Sequence, residues 1–371
     1  MKKIVIATDG FLPRWDGIVR FLLEIVPKLE ENYKITILAP EFEGDYYNPF
    51  NSEIIRFSII KFRLGDIYFS KPFRIRKYLE DADIVFVQSL GTIGISSIIS
   101  ASKLGKTIVS YTHLLEWELV LKSIKRFKKT SKYLGKRLAK RLYNKCDLLI
   151  CPSEEVALKY EKIGVKTPKK IINLGTDTKI FKPPKDKKEA KKDLGISTEE
   201  IIIGYHGRLG REKNLITLYR AFRRLENNYK NIKLLIIGEG VKDQEEIFSS
   251  NRNIIMPGSK MDVVPYLQAM DIYVLPSLTE TSSLSTMEAM SCGLAVLSTP
   301  VGYVKDYIEE RKNGMLFPFR NSMVLSMKME LLIKDEELRT RLGKNARKTI
   351  KNKFCWDKTH EKIEETIKNL I

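Results

Sequence analysis

Residues 276–300 read PSLTETSSLSTMEAMSCGLAVLSTP, and the fold follows from them. Before them stands an apolar run of strand length, IYVL at 272–275, and after a turn of small polar residues comes LSTMEAMS at 284–291, which fits a helix. A strand, a loop and a helix start in that order have chemistry built in. The first turn of a helix leaves backbone N–H groups unpaired and carries partial positive charge, so phosphate is stabilised there, and Ser282, Ser283 and Ser285 add hydroxyl donors. Glu280 in the loop and Glu288 in the helix bracket the position, and ribose or sugar hydroxyls suit such acceptors. The plainer alternative is an acid that stabilises a helix dipole beside an ordinary surface glutamate. A hydrolase pair fits poorly, because its carboxyls face each other across a sugar.

Outward from this stretch, short β-rich runs alternate with helical segments. Residues 4–7, 35–39, 54–57, 84–87, 108–111 and 148–151 read as strands, and a second series begins at Ile201 after the proline- and charge-rich KPPKDKKEAKKD. The alternation predicts parallel, doubly wound α/β sheets, whose ligands sit outside the carboxyl ends of the strands.

The chain has 371 residues, 43% hydrophobic and 30% charged, which suits two globular domains. No apolar run reaches the roughly 18 residues that span a bilayer, and MKKIVIATDG reads as a first strand rather than a signal peptide, so a cytoplasmic protein is expected. Four cysteines without paired spacing and three histidines indicate neither a zinc site nor a disulfide framework. The net charge of +19 favours anionic partners: nucleotide-sugar phosphates, an anionic membrane surface or nucleic acid.

Several strand-end loops carry candidate residues. FLPRWDGIVRF follows the first strand, and Gly17 lets backbone approach a ligand there, although a plain turn has the same composition. His113 closes IVSYT, with Glu116 nearby; a histidine hydrogen-bonded near the core is the alternative. In IIIGYHGRLGREKNL, Gly207 makes the turn while Arg208 offers a planar fork and Lys213 a point charge to one anion, against the alternative of two solvated cations. LLIIGEG supplies Gly238, and Met256-Pro257-Gly258 ends a later run. Asp81-Ala82-Asp83 has a D-x-D pattern but precedes a strand, so it reads as a loop.

Residues 122–145, KSIKRFKKTSKYLGKRLAKRLYNK, hold eleven Lys or Arg and no acid, with Ile124, Phe127, Leu134, Leu138 and Leu142 at helical spacing. Three roles fit: a solvated helix whose stripe packs on the sheet, a nucleic-acid patch, or a membrane-surface patch made by Lys125, Arg126, Lys128, Lys129, Lys132, Lys136, Arg137, Lys140 and Arg141. No nucleic-acid module accompanies the charge, so nucleic acid is not expected as a partner.

Glu280, seven residues, Glu288, then Ala289, Met290, Cys292-Gly293 and Ala295-Val296 resembles the E-x7-E element of retaining family-4 glycosyltransferases of the GT-B fold. GRLGREKN resembles the family's diphosphate-binding G-R-L-x-x-E-K-N, and INLGTDTKIF, with Gly175, Asp177 and Phe181, its passage between domains. The resemblance implies two facing Rossmann-like domains, residues 1–178 on the acceptor side and 179–350 on the nucleotide-sugar side, with 351–371 a helix returning to the first. It implies a metal-independent hexosyl transfer without cofactor from a UDP- or GDP-type sugar, through His113, Arg208, Lys213 and Glu280. Gly17, Gly207, Gly238, Gly258, Ser282, Ser283, Leu284 and Glu288 would complete the donor site; Asp16 and Glu116 would face the acceptor, on a glycolipid or glycan precursor at the inner membrane face. Thr281 to Ser283 stand where many members have a glycine-containing turn, and Val301-Gly302-Tyr303 departs from the usual G-G-x-P-E. Nucleic-acid binding and sugar-nucleotide epimerisation on the same fold are the other functions considered.

Overall fold

The computed structural model describes residues 1–14, 16–64, 67–113, 115–118, 127–240, 242–248 and 251–371, without side chains for 63, 64, 242 and 243. The chain forms two compact units, Met1–Leu174 with Thr359–Ile371, and Gly175–Lys358.

The first unit holds β1 (Lys3–Ala7), β2 (Lys34–Glu41), β3 (Glu53–Leu64), β4 (Ile67–Ser70), β5 (Ile84–Val87), β6 (Thr107–Tyr111), β7 (Leu148–Cys151) and β8 (Lys169–Ile171). They lie in the order β4-β3-β2-β1-β5-β6-β7-β8. The central strands are continuous apolar runs because both their faces are covered, as in IVFV of β5, buried throughout. Ile4 stands between Ile35 and Ile84 in parallel register. Only the edge departs from the expected parallel sheet: β4 runs antiparallel to β3.

Two helix starts in this unit are closed by the chain's own carboxylates. Asp16 caps α1 (Gly17–Leu29), accepting from Ile18 N at 2.9 Å and Val19 N at 3.0 Å. Asp9, after β1, accepts from Ile93 N at 2.8 Å and Gly94 N at 3.1 Å at the head of α2 (Thr92–Lys103), and Ser89 Oγ donates to it at 2.9 Å. Burial raises the Asp9 pKa against these stabilising bonds.

The basic segment becomes α3 (Lys128–Tyr143). Its expected apolar stripe divides. Ala139, Leu142 and Tyr143 enter the core, whereas Phe127, Leu134 and Leu138 are 81%, 57% and 45% exposed. Gly135 meets Trp117, so a small residue sets the distance of closest approach. Lys125 and Arg126 lie outside the described residues.

The second unit holds β9 (Ile201–His206), β10 (Ile232–Ile237), β11 (Ile254–Gly258), β12 (Ile272–Leu275), β13 (Ala295–Ser298) and β14 (Met315–Leu316). Their order is β11-β10-β9-β12-β13-β14, all parallel. Strand order reverses between β9 and β12, and such a switch point opens a crevice at the carboxyl ends of those two strands. β12 leads into α4 (Leu284–Ser291), almost wholly buried.

At the join, a Cβ on Gly175 would lie 2.5 Å from the Cys355 backbone, and Thr176 N donates to Phe354 O at 2.9 Å. Asp177 Oδ1 accepts from Lys179 N and Ile180 N, turning the chain so that Phe181 enters the second core. The final helix, α5 (Trp356–Lys368), begins in the second unit and belongs to the first from Thr359 onward. Phe354, Trp356 and Ile363 are buried.

Candidate active site

The loops after β9 and β12 meet at the switch point of the second sheet. Lys213 Nζ donates to Glu280 Oε1 at 2.6 Å, with the two side chains 18% and 11% exposed, and Ser277 Oγ donates to the same oxygen at 2.8 Å. His206 Nε2 lies 2.7 Å from Glu288 Oε2, and both groups are buried. Arg208 pairs with Glu212 at the mouth of the same loop, where its side chain is 57% exposed. Both carboxylates of the E-x7-E element therefore hold a partner from the end of β9 or the loop after it. Sequence reasoning missed His206 and Glu212. His206 had a signal, being one of three histidines and the last residue of a strand.

Gly207 and Gly238 bring the β9 and β10 loops into contact: both adopt positive φ, and a Cβ on Gly238 would lie 2.1 Å from Gly207 O. Gly258 ends β11, its carbonyl accepting from Gly238 N at 3.0 Å. Ser283 precedes α4 with φ 55° and makes no side-chain cap; its Oγ stands 2.9 Å from Thr286 Oγ1 and 3.3 Å from Ser285 Oγ. Ser282 is 3% exposed, and its hydroxyl has no hydrogen-bond partner among the described residues. Leu284 opens the helix. The loop after β9 thus carries two cations, Arg208 and Lys213, the second paired with the loop after β12, and α4 starts without a side-chain cap, the features that suit an anion.

The first unit treats its candidates differently. His113 packs between Tyr111 and Phe21, at ring distances of 4.5 and 4.8 Å, and its Nε2 lies 3.0 Å from Gln88 Oε1. A carbonyl oxygen only accepts, so Nε2 carries the hydrogen; desolvation pushes the pKa down to about 3, and the ring is neutral in ordinary buffers. Such a histidine can orient a hydroxyl but does not supply positive charge. Glu116 is engaged within the first unit: Tyr143 Oη and Tyr160 Oη donate to its two oxygens, the latter at 2.8 Å, and burial raises its pKa to about 6, so it braces α3. Asp16 is engaged as the α1 cap, which places negative charge beside Gly17 where a diphosphate neighbour was expected. Gly17 itself is exposed.

Asp81 and Asp83 serve the fold: Lys3 N donates to Asp83 at 2.7 Å and Lys3 Nζ pairs with Asp81 at 2.7 Å, and these bonds lower both carboxyl pKa values. A cavity of about 910 Å³ opens at the carboxyl ends of β2 and β3. Arg14, Glu41, Phe42, Glu43, Lys61 and Tyr68 line it, and the Arg14 guanidinium lies 4.9 Å from the Tyr68 ring centre.

A family model described as "Glycosyl transferases group 1" matches residues 186–349, and one described as "Glycosyltransferase Family 4" matches residues 15–180. The chain belongs to these glycosyltransferases. It is 24% identical over 332 residues to the alpha-monoglucosyldiacylglycerol synthase of Streptococcus pneumoniae, covering 85% of this chain and 75% of that one. It is 26% identical over 264 residues to the capsular polysaccharide biosynthesis glycosyltransferase CapM of Staphylococcus aureus, covering 66% and 67%. The crystal structure of Anabaena Alr3699/HepE in complex with UDP-glucose superposes with a TM-score of 0.79 at 17% identity, each chain covered in full. The fold of this glycosyltransferase is GT-B, and its relatives are transferases, so nucleic-acid binding and epimerisation are not carried further.

Proposed function

We propose that this glycosyltransferase moves a hexose from a UDP-type donor, with retention and without a metal ion, to a hydroxyl held at an anionic membrane surface. The observation that carries the donor assignment is Lys213, a shielded cation at the switch point, beside the uncapped start of α4 and within reach of Glu280. As the bond between the sugar and the diphosphate breaks, negative charge grows on the departing diphosphate. Arg208, Lys213 and the N–H groups before α4 are placed to stabilise it, a contribution of about 3 kcal/mol per donor in comparable sites. These fixed charges supply what a divalent ion supplies elsewhere, which supports metal independence. Glu280, held by Lys213 and Ser277, suits orientation of sugar hydroxyls better than attack on carbon; acceptor attack on the face the diphosphate leaves follows from that. UDP is favoured by the UDP-glucose bound to the structural relative.

The membrane acceptor rests on α3 and on the glycolipid synthase relative. Lys128, Lys129, Lys132, Arg137, Lys140 and Arg141 are exposed around Phe127, Leu134 and Leu138, a face that suits the headgroup region of a bilayer. No helix among the described residues is long and apolar enough to cross a membrane, and attachment at the inner face by this surface is part of the proposal. The test is transfer from UDP-glucose and GDP-glucose to diacylglycerol in phosphatidylglycerol vesicles, with EDTA, reading the product's anomeric configuration. An α-linked product from UDP-glucose in EDTA is expected. An inverted product, a metal requirement, or use of GDP-glucose alone would overturn the corresponding part.

A further inference from the structure

The turn that leads from β12 into α4 is made here without glycine. Thr281, Ser282 and Ser283 form it, and Ser283 sits at φ 55°, where a side chain strains the backbone. Three contacts from one neighbouring segment hold it. A Cβ on Gly302 would lie 2.2 Å from Glu280 O, so that carbonyl is packed against bare backbone. Tyr303 N donates to Thr281 O at 2.9 Å, and Tyr307 Oη donates to Ser282 O at 3.0 Å. In a trans peptide the carbonyl of one residue and the N–H of the next point opposite ways. With the carbonyls of Glu280, Thr281 and Ser282 all turned to residues 302–307, the N–H groups of Thr281, Ser282 and Ser283 point away from that segment.

We propose that Tyr307 is a positioning residue of the donor site: its hydroxyl, with Gly302 and Tyr303 N–H, fixes the strained Thr281–Ser283 turn so that successive N–H groups converge on the donor diphosphate. Successive N–H groups in such a turn make an anion-binding concavity. The buried, unpartnered Ser282 hydroxyl lies in the same turn. Two further buried tyrosines repeat the device on the facing loop, Tyr205 Oη donating to Arg208 O at 3.0 Å and Tyr273 Oη to His206 O at 3.4 Å. The inference rests on the donor assignment above and adds the means by which a turn lacking glycine is kept competent.

The test is titration calorimetry of the full chain with UDP, GDP, uridine and guanosine. For Tyr307→Phe the affinity for the diphosphate that the unaltered chain binds should fall about tenfold, the scale of one lost buried hydrogen bond, while affinity for the matching nucleoside stays unchanged. Adding Ser283→Gly should restore most of the loss, because glycine adopts the turn unaided. Undiminished diphosphate binding by Tyr307→Phe, or an equal loss for diphosphate and nucleoside, would overturn the proposal. If Tyr307→Phe alone is too unstable to titrate, it is compared in the Ser283→Gly background with Ser283→Gly itself; equal affinities are expected, and a tenfold gap overturns it. An unaltered chain that binds neither diphosphate removes the donor assignment itself, a result seen before any substitution is made.

Discussion

Replacing Lys213 by alanine separates the ion pair seen in the structure from the diphosphate contact proposed for the same side chain. In the unliganded protein Lys213 neutralises Glu280, a carboxylate only 11% exposed. Breaking a fully buried ion pair costs about 3–5 kcal/mol, because the remaining charge is stranded. Here Ser277 keeps one bond to the carboxylate and some solvent access remains, so about 1.5–3 kcal/mol of destabilisation is expected for Lys213→Ala. In a unit of this size that is a fall in melting temperature of about 3–12 °C. Glu280→Gln removes the stranded charge, and the double variant should regain most of the melting temperature. Transfer should behave otherwise: Lys213→Ala loses about a hundredfold or more, and the double variant recovers none of it, because the cation proposed to face the diphosphate is gone. Differential scanning fluorimetry and steady-state transfer from UDP-glucose read the two effects. Equal melting of Lys213→Ala and the unaltered chain would refute the pairing, and recovery of transfer in the double variant would refute the donor role.

Glu116 makes stability depend on pH. Its folded pKa, raised to about 6 from 4.5, means that its favourable contribution is complete below pH 4.5 and is lost as pH rises through 6. Glu116→Gln, which stays neutral, should match the unaltered chain near pH 4 and exceed it by about 2 kcal/mol above pH 7, measured by urea unfolding at each pH. Gly302→Ala drives a Cβ into Glu280 O and should weaken UDP binding and lower the melting temperature together; a normal titration would refute the close approach. Leu134→Glu with Leu138→Glu should abolish flotation with phosphatidylglycerol vesicles at low salt and leave melting unchanged, since both side chains face solvent; retained flotation would end the membrane assignment of α3.

The central strands were legible because each is a short apolar run between polar turns, and so were the loops that follow them. β4 and β8 were not: IYFS is only partly buried, and KKI carries two lysines, so neither shows the signature of a covered strand. Arg208, Lys213, Glu280 and Glu288 stand out in the sequence one at a time, not as pairs. Lys213 and Glu280 are separated by 67 positions and His206 and Glu288 by 82, and nothing local records such a meeting. The partners of Glu116 are not legible either, because a carboxylate near a strand end looks alike in sequence whether it faces a ligand or two tyrosines. The apolar positions of α3 were visible at their spacing; periodicity alone could not say that Leu142 turns inward while Leu134 and Leu138 turn outward.

The helix starts of the two units have a consequence for molecular traffic. In the first unit Asp9 and Asp16 already occupy the positive ends of α2 and α1, so a phosphate arriving there meets a carboxylate of the protein itself. In the second unit the start of α4 has no such tenant. Under the proposed function, similar architecture serves unlike cargo: Asp9 and Asp16 leave the first unit's helix starts to an uncharged hydroxyl compound, and the open start of α4 is left to the nucleotide.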